Sequence, residues 1–185
     1  MSYAQTRALV IKMLPQGAVG AEIGVWKGNF SELILQTAQP RLLHLIDPWR
    51  LVDDPDHASA WYSKERGQDI EQIYGSVQAR FADHVSSGQV QIHRKSSGEA
   101  LESMPDEHLD FIYVDGDHAF EGVRADLDLA VSKTRSGGLI CVDDHMLGKW
   151  WDDGVVRAVN EILGAHPRGL MLQFAANTQV VIRKR

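Results

Sequence analysis

Leu109-Asp110-Phe111-Ile112-Tyr113-Val114-Asp115-Gly116-Asp117-His118 runs from a short apolar stretch straight into acids, and Gly138-Leu139-Ile140-Cys141-Val142-Asp143-Asp144-His145 does so again. Short β-branched and aromatic runs, separated by helical spacing from about Glu121 to Lys133, read as two buried parallel strands joined by a helix. Parallel neighbours lie about 4.8 Å apart. If these two strands are adjacent, Asp115, Asp143 and Asp144 converge at one edge of a sheet. Carboxylates so close repel one another and do not all stay ionised without a cation. The pattern therefore predicts a site for a hard divalent metal, which takes oxygen ligands.

The alternation extends outward from these strands. Leu9, Val10, Met13 and Leu14 give the N-terminal segment (1–17) a helical stripe, closed by Pro15-Gln16-Gly17. Ala18 to Ile23 reads as a strand and Gly24 to Gly28 as a loop. Asn29 to Gln36 reads as a helix, with Asn29 as N-cap and Glu32 completing a capping box. Arg41 to Ile46 and Val90 to His93 read as further strands, and Gly98 to Met104 as a short helix. Residues 50–88 are polar and dotted with aromatics, with Ile70, Ile73, Tyr74, Val77 and Phe81 on one helical face. This insert is expected to be a helical lid, and Trp61-Tyr62 and Trp150-Trp151 are candidates to wall a substrate pocket. Val155 to Leu163 reads as a helix, and Leu170 to Phe174 with Gln179 to Ile182 as a hairpin.

Strand alternating with helix predicts an α/β fold: one open, mostly parallel, doubly wound sheet. The turn at Ala175 to Thr178 is too short for a parallel crossover, so the last of seven strands is predicted antiparallel, beside the strand ending at Val142. Ligands of such sheets bind beyond the carboxyl ends of the strands.

The 185 residues suffice for one such domain, 1–185, and are too few for two. A net charge of −6 gives no global electrostatic case for nucleic acid. Cys141, the one cysteine, excludes an intramolecular disulfide framework and reads as a core thiol. No apolar run approaches the ~18 residues of a membrane helix, and no signal peptide opens the chain, so a cytoplasmic location is the expectation.

Ala21-Glu22-Ile23-Gly24-Val25-Trp26-Lys27-Gly28 is a strand, an acid and a loop with two glycines. Glycine permits tight turns and close approach to a ligand. The loop lacks the spacing of a dinucleotide pyrophosphate site, and Glu22 would repel a pyrophosphate. Both points count against a nicotinamide oxidoreductase. Asp47, at the end of the second strand, is placed to accept both hydroxyls of a ribose. Together these features describe a nucleoside with positive charge, such as S-adenosylmethionine.

Four motifs, Glu22-Ile23-Gly24-Val25-x-x-Gly28, Ile46-Asp47-Pro48-Trp49, Asp115-Gly116-Asp117-His118 and Gly137-Gly138-Leu139-x-x-x-Asp143-Asp144, stand in the order and spacing of a small family. Over roughly residues 18–185 the chain resembles these class I S-adenosylmethionine-dependent methyltransferases, whose members include O-methyltransferases of macrolide sugars. Their metal site resembles that of catechol O-methyltransferases. The resemblance implies a Rossmann-like sheet of seven strands with an antiparallel last strand. It implies Glu22, Gly24, Val25 and Gly28 at the methionine end of the cofactor, bordered by Asp115, with Asp47 at the ribose and Trp49 or Ser97 near the adenine. It implies magnesium on Asp115, Asp143 and Asp144, and His118 as base. The catechol enzymes carry a lysine just beyond the first metal Asp; Asp117-His118 here leaves the base to a histidine, with His145 the rival.

The function expected is metal-dependent O-methylation of a small hydroxylated molecule. A non-catalytic cofactor-binding or assembly domain and a metal-independent N-methyltransferase are the alternatives. No Asn/Asp-Pro-Pro-Tyr segment, which base-modifying enzymes use to hold a flipped base, is present. Asp115 could instead cap the following helix, a common role for Asp at a strand end. The N-terminal helix is left either to cap the active site or to join a homodimer.

Overall fold

A computed structural model describes residues 2–51, 67, 69–148 and 150–185. Much of the expected lid, 52–66 and 68 with Trp61 and Tyr62, therefore lies outside the described residues. The first half of the chain runs α1 (Tyr3–Met13), β1 (Val19–Ile23), α2 (Asn29–Ala38), β2 (Leu42–Asp47), α3 (Ile70–Arg80), α4 (Ala82–Ser86) and β3 (Val90–Arg94). The second runs α5 (Ser97–Glu102), β4 (Leu109–Val114), α6 (Phe120–Lys133), β5 (Thr134–Val142), α7 (Gly154–Ala165), β6 (Leu170–Ala176) and β7 (Gln179–Lys184). Among the described residues no helix is long and apolar enough to cross a membrane.

The strands form one sheet in the order β3-β2-β1-β4-β5-β7-β6. β1 to β5 pair in parallel, while β7 is antiparallel to both β5 and β6. The expected antiparallel last strand is thus in place beside β5. A parallel strand needs cover on both faces, and alternation of side chains supplies it. Ile23, Ile46, Val114 and Val142 pack with residues of α5, α6 and α7, such as Leu101, Leu127 and Val159. Leu45, Phe111, Tyr113 and Cys141 pack the other way, with Val10 of α1, Ile34 of α2 and Val77 of α3. Each large side chain so buried contributes about 1.5–3 kcal/mol.

Two local expectations change. Asn29 is not the N-cap of α2; Gly28 is, in the left-handed region at φ 75°, and its carbonyl accepts from Glu32 N at 3.1 Å. A side chain at 28 would collide with Phe81, and Asn29 Oδ1 instead accepts from Arg80 at 2.6 Å. β5 begins at Thr134 rather than Gly138, with a register shift against β4 between Leu109 and Phe111.

Register sets up the site. Ile23 lies opposite both Ile46 and Val114, and Val114 opposite Val142. The ladder then continues past the strand ends: Gly24 N donates to Ile46 O at 3.0 Å, Asp115 N to Ile23 O at 2.9 Å and Asp143 N to Val114 O at 3.0 Å. Gly24, Asp115 and Asp143 are thereby brought level along one edge.

Candidate active site

A cleft of about 680 Å³ opens at that edge, within the ordinary range for small-molecule sites of about 300–1,000 Å³. Glu22, Asp47, Ser97, Asp115, His118 and Asp144 line it, together with Tyr3 and Arg7 of α1.

Gly24, at φ 85°, forms its floor, and a Cβ there would sit 1.8 Å from the carbonyl oxygen of Asp115. Only glycine allows the loop after β1 to lie against the end of β4. Asp47 ties this loop to the end of β2: Oδ2 accepts from Trp26 N at 2.9 Å and Oδ1 from Trp49 N at 2.7 Å. Burial raises its pKa, countered by those backbone donors. A carboxylate has about four acceptor positions, so the paired oxygens retain capacity for a ribose.

Glu22 is fully enclosed, and its Oε2 lacks a hydrogen-bond partner. Burial pushes its pKa up to about 8, partly countered by the Ser31 hydroxyl and by Arg7. An orphaned buried acceptor lining a cleft fits a cationic group such as the ammonium of S-adenosylmethionine. The carboxyl's folded-state pKa lies above its unfolded value. Its contribution to stability is therefore full below about 4.5 and is lost as pH rises through about 8. Glu22→Gln, which removes the titration, should raise the melting temperature over the parent at about pH 8.5 and much less at about pH 5. A difference between the two proteins that is the same at both pH values would contradict this titration.

Asp115, His118 and Asp144 each offer a donor atom within 4.8 Å of the other two. His118 Nε2 lies 3.3 Å from Asp144 Oδ2 and 3.7 Å from Asp115 Oδ1. Burial alone would lower its pKa, but hydrogen bonding to and the charge of Asp115 and Asp144 carry it up to about 9. Its ring stacks on Trp151 at 4.7 Å and meets the edge of Trp150 at 6.1 Å. The tryptophans expected to wall a substrate thus pack against the histidine. Two carboxylates and an imidazole suit a divalent cation, by the hardness of the oxygens and the versatility of the nitrogen.

Asp143, expected as a further ligand, is directed elsewhere. Its Oδ2 accepts from Tyr3 Oη at 2.9 Å and Tyr113 Oη at 3.0 Å, with Arg7 Nε at 3.2 Å. Its Oδ1 accepts from Asp144 N at 2.7 Å, Thr178 Oγ1 at 3.2 Å and Gln179 Nε2. Arg7 also binds Asp115, Nη2 to Oδ2 at 2.9 Å, and its guanidinium lies 3.8 Å from the centre of the Phe30 ring. A cation from α1 therefore already offsets two of the three acids. Arg7 was missed in the sequence, although it falls on the inward stripe of α1 with Tyr3 and Val10.

Other expected positions serve differently. Val25 lines the cleft, while Gly28 shapes the turn into α2 and does not line it. Trp49, at φ 39°, turns into the core, where it packs on Tyr74 at 4.9 Å and donates Nε1–H to Trp26 O at 2.8 Å. Pro48 and Arg50 line the cleft in its place. His145 is half-buried, outside both the cleft lining and the donor group, and burial lowers its pKa. Cys141 is the core thiol expected, its pKa pushed up to about 12 by burial.

A family model described as "Methyltransferase domain" matches residues 21–145. An uncharacterised protein of Acanthamoeba polyphaga mimivirus is 30% identical over 146 residues, which are 77% of this chain and 58% of that protein. The chain thus spans little more than half the length of this relative. Among solved structures, a candidate rRNA methylase from Clostridium thermocellum superposes with a TM-score of 0.70 at 15% identity, covering 100% of this chain and 96% of that one. The O-methyltransferase NovP gives 0.67 at 19% identity, over 96% and 79%. A candidate caffeoyl-CoA O-methyltransferase from Staphylococcus aureus gives 0.67 at 14% identity, over 100% and 85%. At these identities the likeness shows the fold.

Proposed function

The chain belongs to the methyltransferase-domain family, and on that premise we propose that it transfers the methyl group of S-adenosylmethionine to a hydroxyl of a small molecule, with a divalent metal at the acid cluster. One observation carries this reading. Asp115 presses its backbone carbonyl against Gly24 of the cofactor loop and turns its carboxylate toward His118 and Asp144. The place for the methyl donor and the place for activating an acceptor thus share a residue.

The roles follow from position. Glu22 Oε2 accepts from the cofactor's ammonium, and Asp47 from its ribose. Asp115 and Asp144 would hold the metal, magnesium first, with manganese or calcium able to use the same oxygens. When bound, such a cation supplies a lowered pKa for a hydroxyl beside it. His118 takes the hydroxyl proton at Nε2. The shared wall at Gly24 and Asp115 fixes donor and acceptor for in-line approach, replacing a bimolecular encounter by positioning. The cleft's size and the net charge of −6 favour a small-molecule acceptor over nucleic acid.

The test is incubation with S-adenosylmethionine, magnesium and a panel of hydroxylated acceptors, with S-adenosylhomocysteine and the methylated product both quantified. An O-methylated product is expected. Methylation confined to amines would remove the O-transfer reading, and absence of cofactor binding in calorimetry would remove the methyltransferase reading.

A further inference from the structure

Asp126 of α6 is buried, lines the cleft and has no part in the roles above. The sheet order places four strand ends in succession: β4 with Asp115, β1 with Glu22 and Gly24, β2 with Asp47, and β3, which leads into Ser96 and Ser97. A ligand with its charged end at Glu22 and its ribose at Asp47 carries its base onward, over the start of α5. There α6 presents Gly122, Ala125, Asp126 and Leu129 to the cleft. These positions, i, i+3, i+4 and i+7, form one stripe of a helix. The stripe is small and apolar except for a single carboxylate. The space above Gly98 on the facing wall is open.

The carboxylate is held in place. The Ser97 hydroxyl hydrogen-bonds to it, and a Cβ on Gly116 would come within 3.6 Å of its Oδ2, so it lies over the backbone leaving β4. Burial pushes its pKa up to about 6, with the Ser97 hydroxyl opposing and Asp117 adding to the rise. A buried acid retained on an otherwise apolar wall costs stability unless something pairs with it.

We propose that Asp126 is a specificity-determining residue for the cofactor's base: its carboxylate accepts from the exocyclic amine of a 6-aminopurine lying against Ala125 and Leu129, and Ser97 fixes its orientation. This rests on the reading of the cleft as an S-adenosylmethionine site. A 6-oxopurine in the same place turns an acceptor oxygen toward the acid, so the site discriminates between the two bases.

Calorimetry on the full chain with S-adenosylhomocysteine and its 6-oxo counterpart, S-inosylhomocysteine, tests this. The parent should bind the adenosyl compound about 10- to 100-fold more tightly, as expected for one hydrogen bond to a charged acceptor. Asp126→Ala should lose that preference through weaker adenosyl binding. Ser97→Ala, a milder change, should reduce it in part. Retention of the full preference in Asp126→Ala overturns the assignment. Equal binding of the two compounds by the parent overturns it too, whether or not the variant folds. A parent that binds neither compound overturns the cofactor reading, and this inference falls with it.

Discussion

Asp144→Ala is expected to abolish methyl transfer while leaving cofactor binding nearly intact, and an excess of chelator should do the same to the parent. Asp144 sits 3.3 Å from His118 Nε2 and belongs to the three-donor group, whereas Glu22 and Gly24, proposed to hold the cofactor, lie outside that group. Its loss removes one of two hard oxygen donors without touching the glycine loop. His118→Ala, which spares both carboxylates, should cut the rate by about 10²–10⁴-fold, the usual share of a general base. That deficit should shrink as pH rises and the acceptor ionises unaided. In the free cluster the imidazole's pKa is carried up to about 9 by Asp115 and Asp144, so it holds its proton at neutral pH. Neutralising those two carboxylates removes what holds the proton there. Rates at several pH values for parent, Asp144→Ala and His118→Ala, each with and without chelator, check these expectations. Undiminished turnover in chelator would sink the metal. A silent His118→Ala beside an inactive His145→Ala would move the base to His145, which lies outside the donor group.

The fold was legible because buried parallel strands are written as near-continuous apolar runs, and β1, β2, β4 and β5 all are. The site was legible in part for the same reason: acids directly following such runs must lie at the sheet's edge. What the runs do not state is where each acid points. Side chains alternate along a strand, so Asp143, two residues past Cys141, inherits the face that Cys141 shares with Tyr113 and α1. Asp144, at φ 50°, turns back toward His118. Tandem acids thus divide between two environments, a split that depends on one left-handed residue. Asn29 illustrates the same limit. Its capping pattern did not set the helix start, because Gly28 takes the N-cap in a left-handed conformation that a side chain would not readily adopt, and the helix begins one residue earlier. Arg7 was hidden by context: an arginine on a short helix is ordinarily solvent-facing, and only the tertiary placement of α1 beside the acids that follow β4 and β5 turns it inward.

Arg7→Met is expected to cost about 3–5 kcal/mol of stability, because it removes one partner from a buried ion pair and leaves the other uncompensated. Arg7 Nη2 reaches Asp115 Oδ2 at 2.9 Å and Nε reaches Asp143 Oδ2 at 3.2 Å, while Nη1 donates to Tyr3 Oη at 2.8 Å. Its side chain is 18% exposed, so solvent screens little of this. For a domain of this size each kcal/mol moves the melting temperature by about 2–4 °C, so a fall of about 6–20 °C should be seen. The sign of the pH dependence is fixed. Burial already raises the pKa of Asp115, and Arg7 is among the groups that oppose the rise. Without Arg7 the rise grows, so the variant's deficit should be larger near pH 8 than near pH 5, where protonation relieves the acid. Arg7→Lys keeps the charge but loses the fork that spans two carboxylates, and should fall between parent and Met. Thermal melts of the three proteins at both pH values are the measurement. A melting temperature for Arg7→Met equal to the parent's at both would mean that α1 does not carry the charge of the acid cluster, and the cation the sequence demands would have to come wholly from solution.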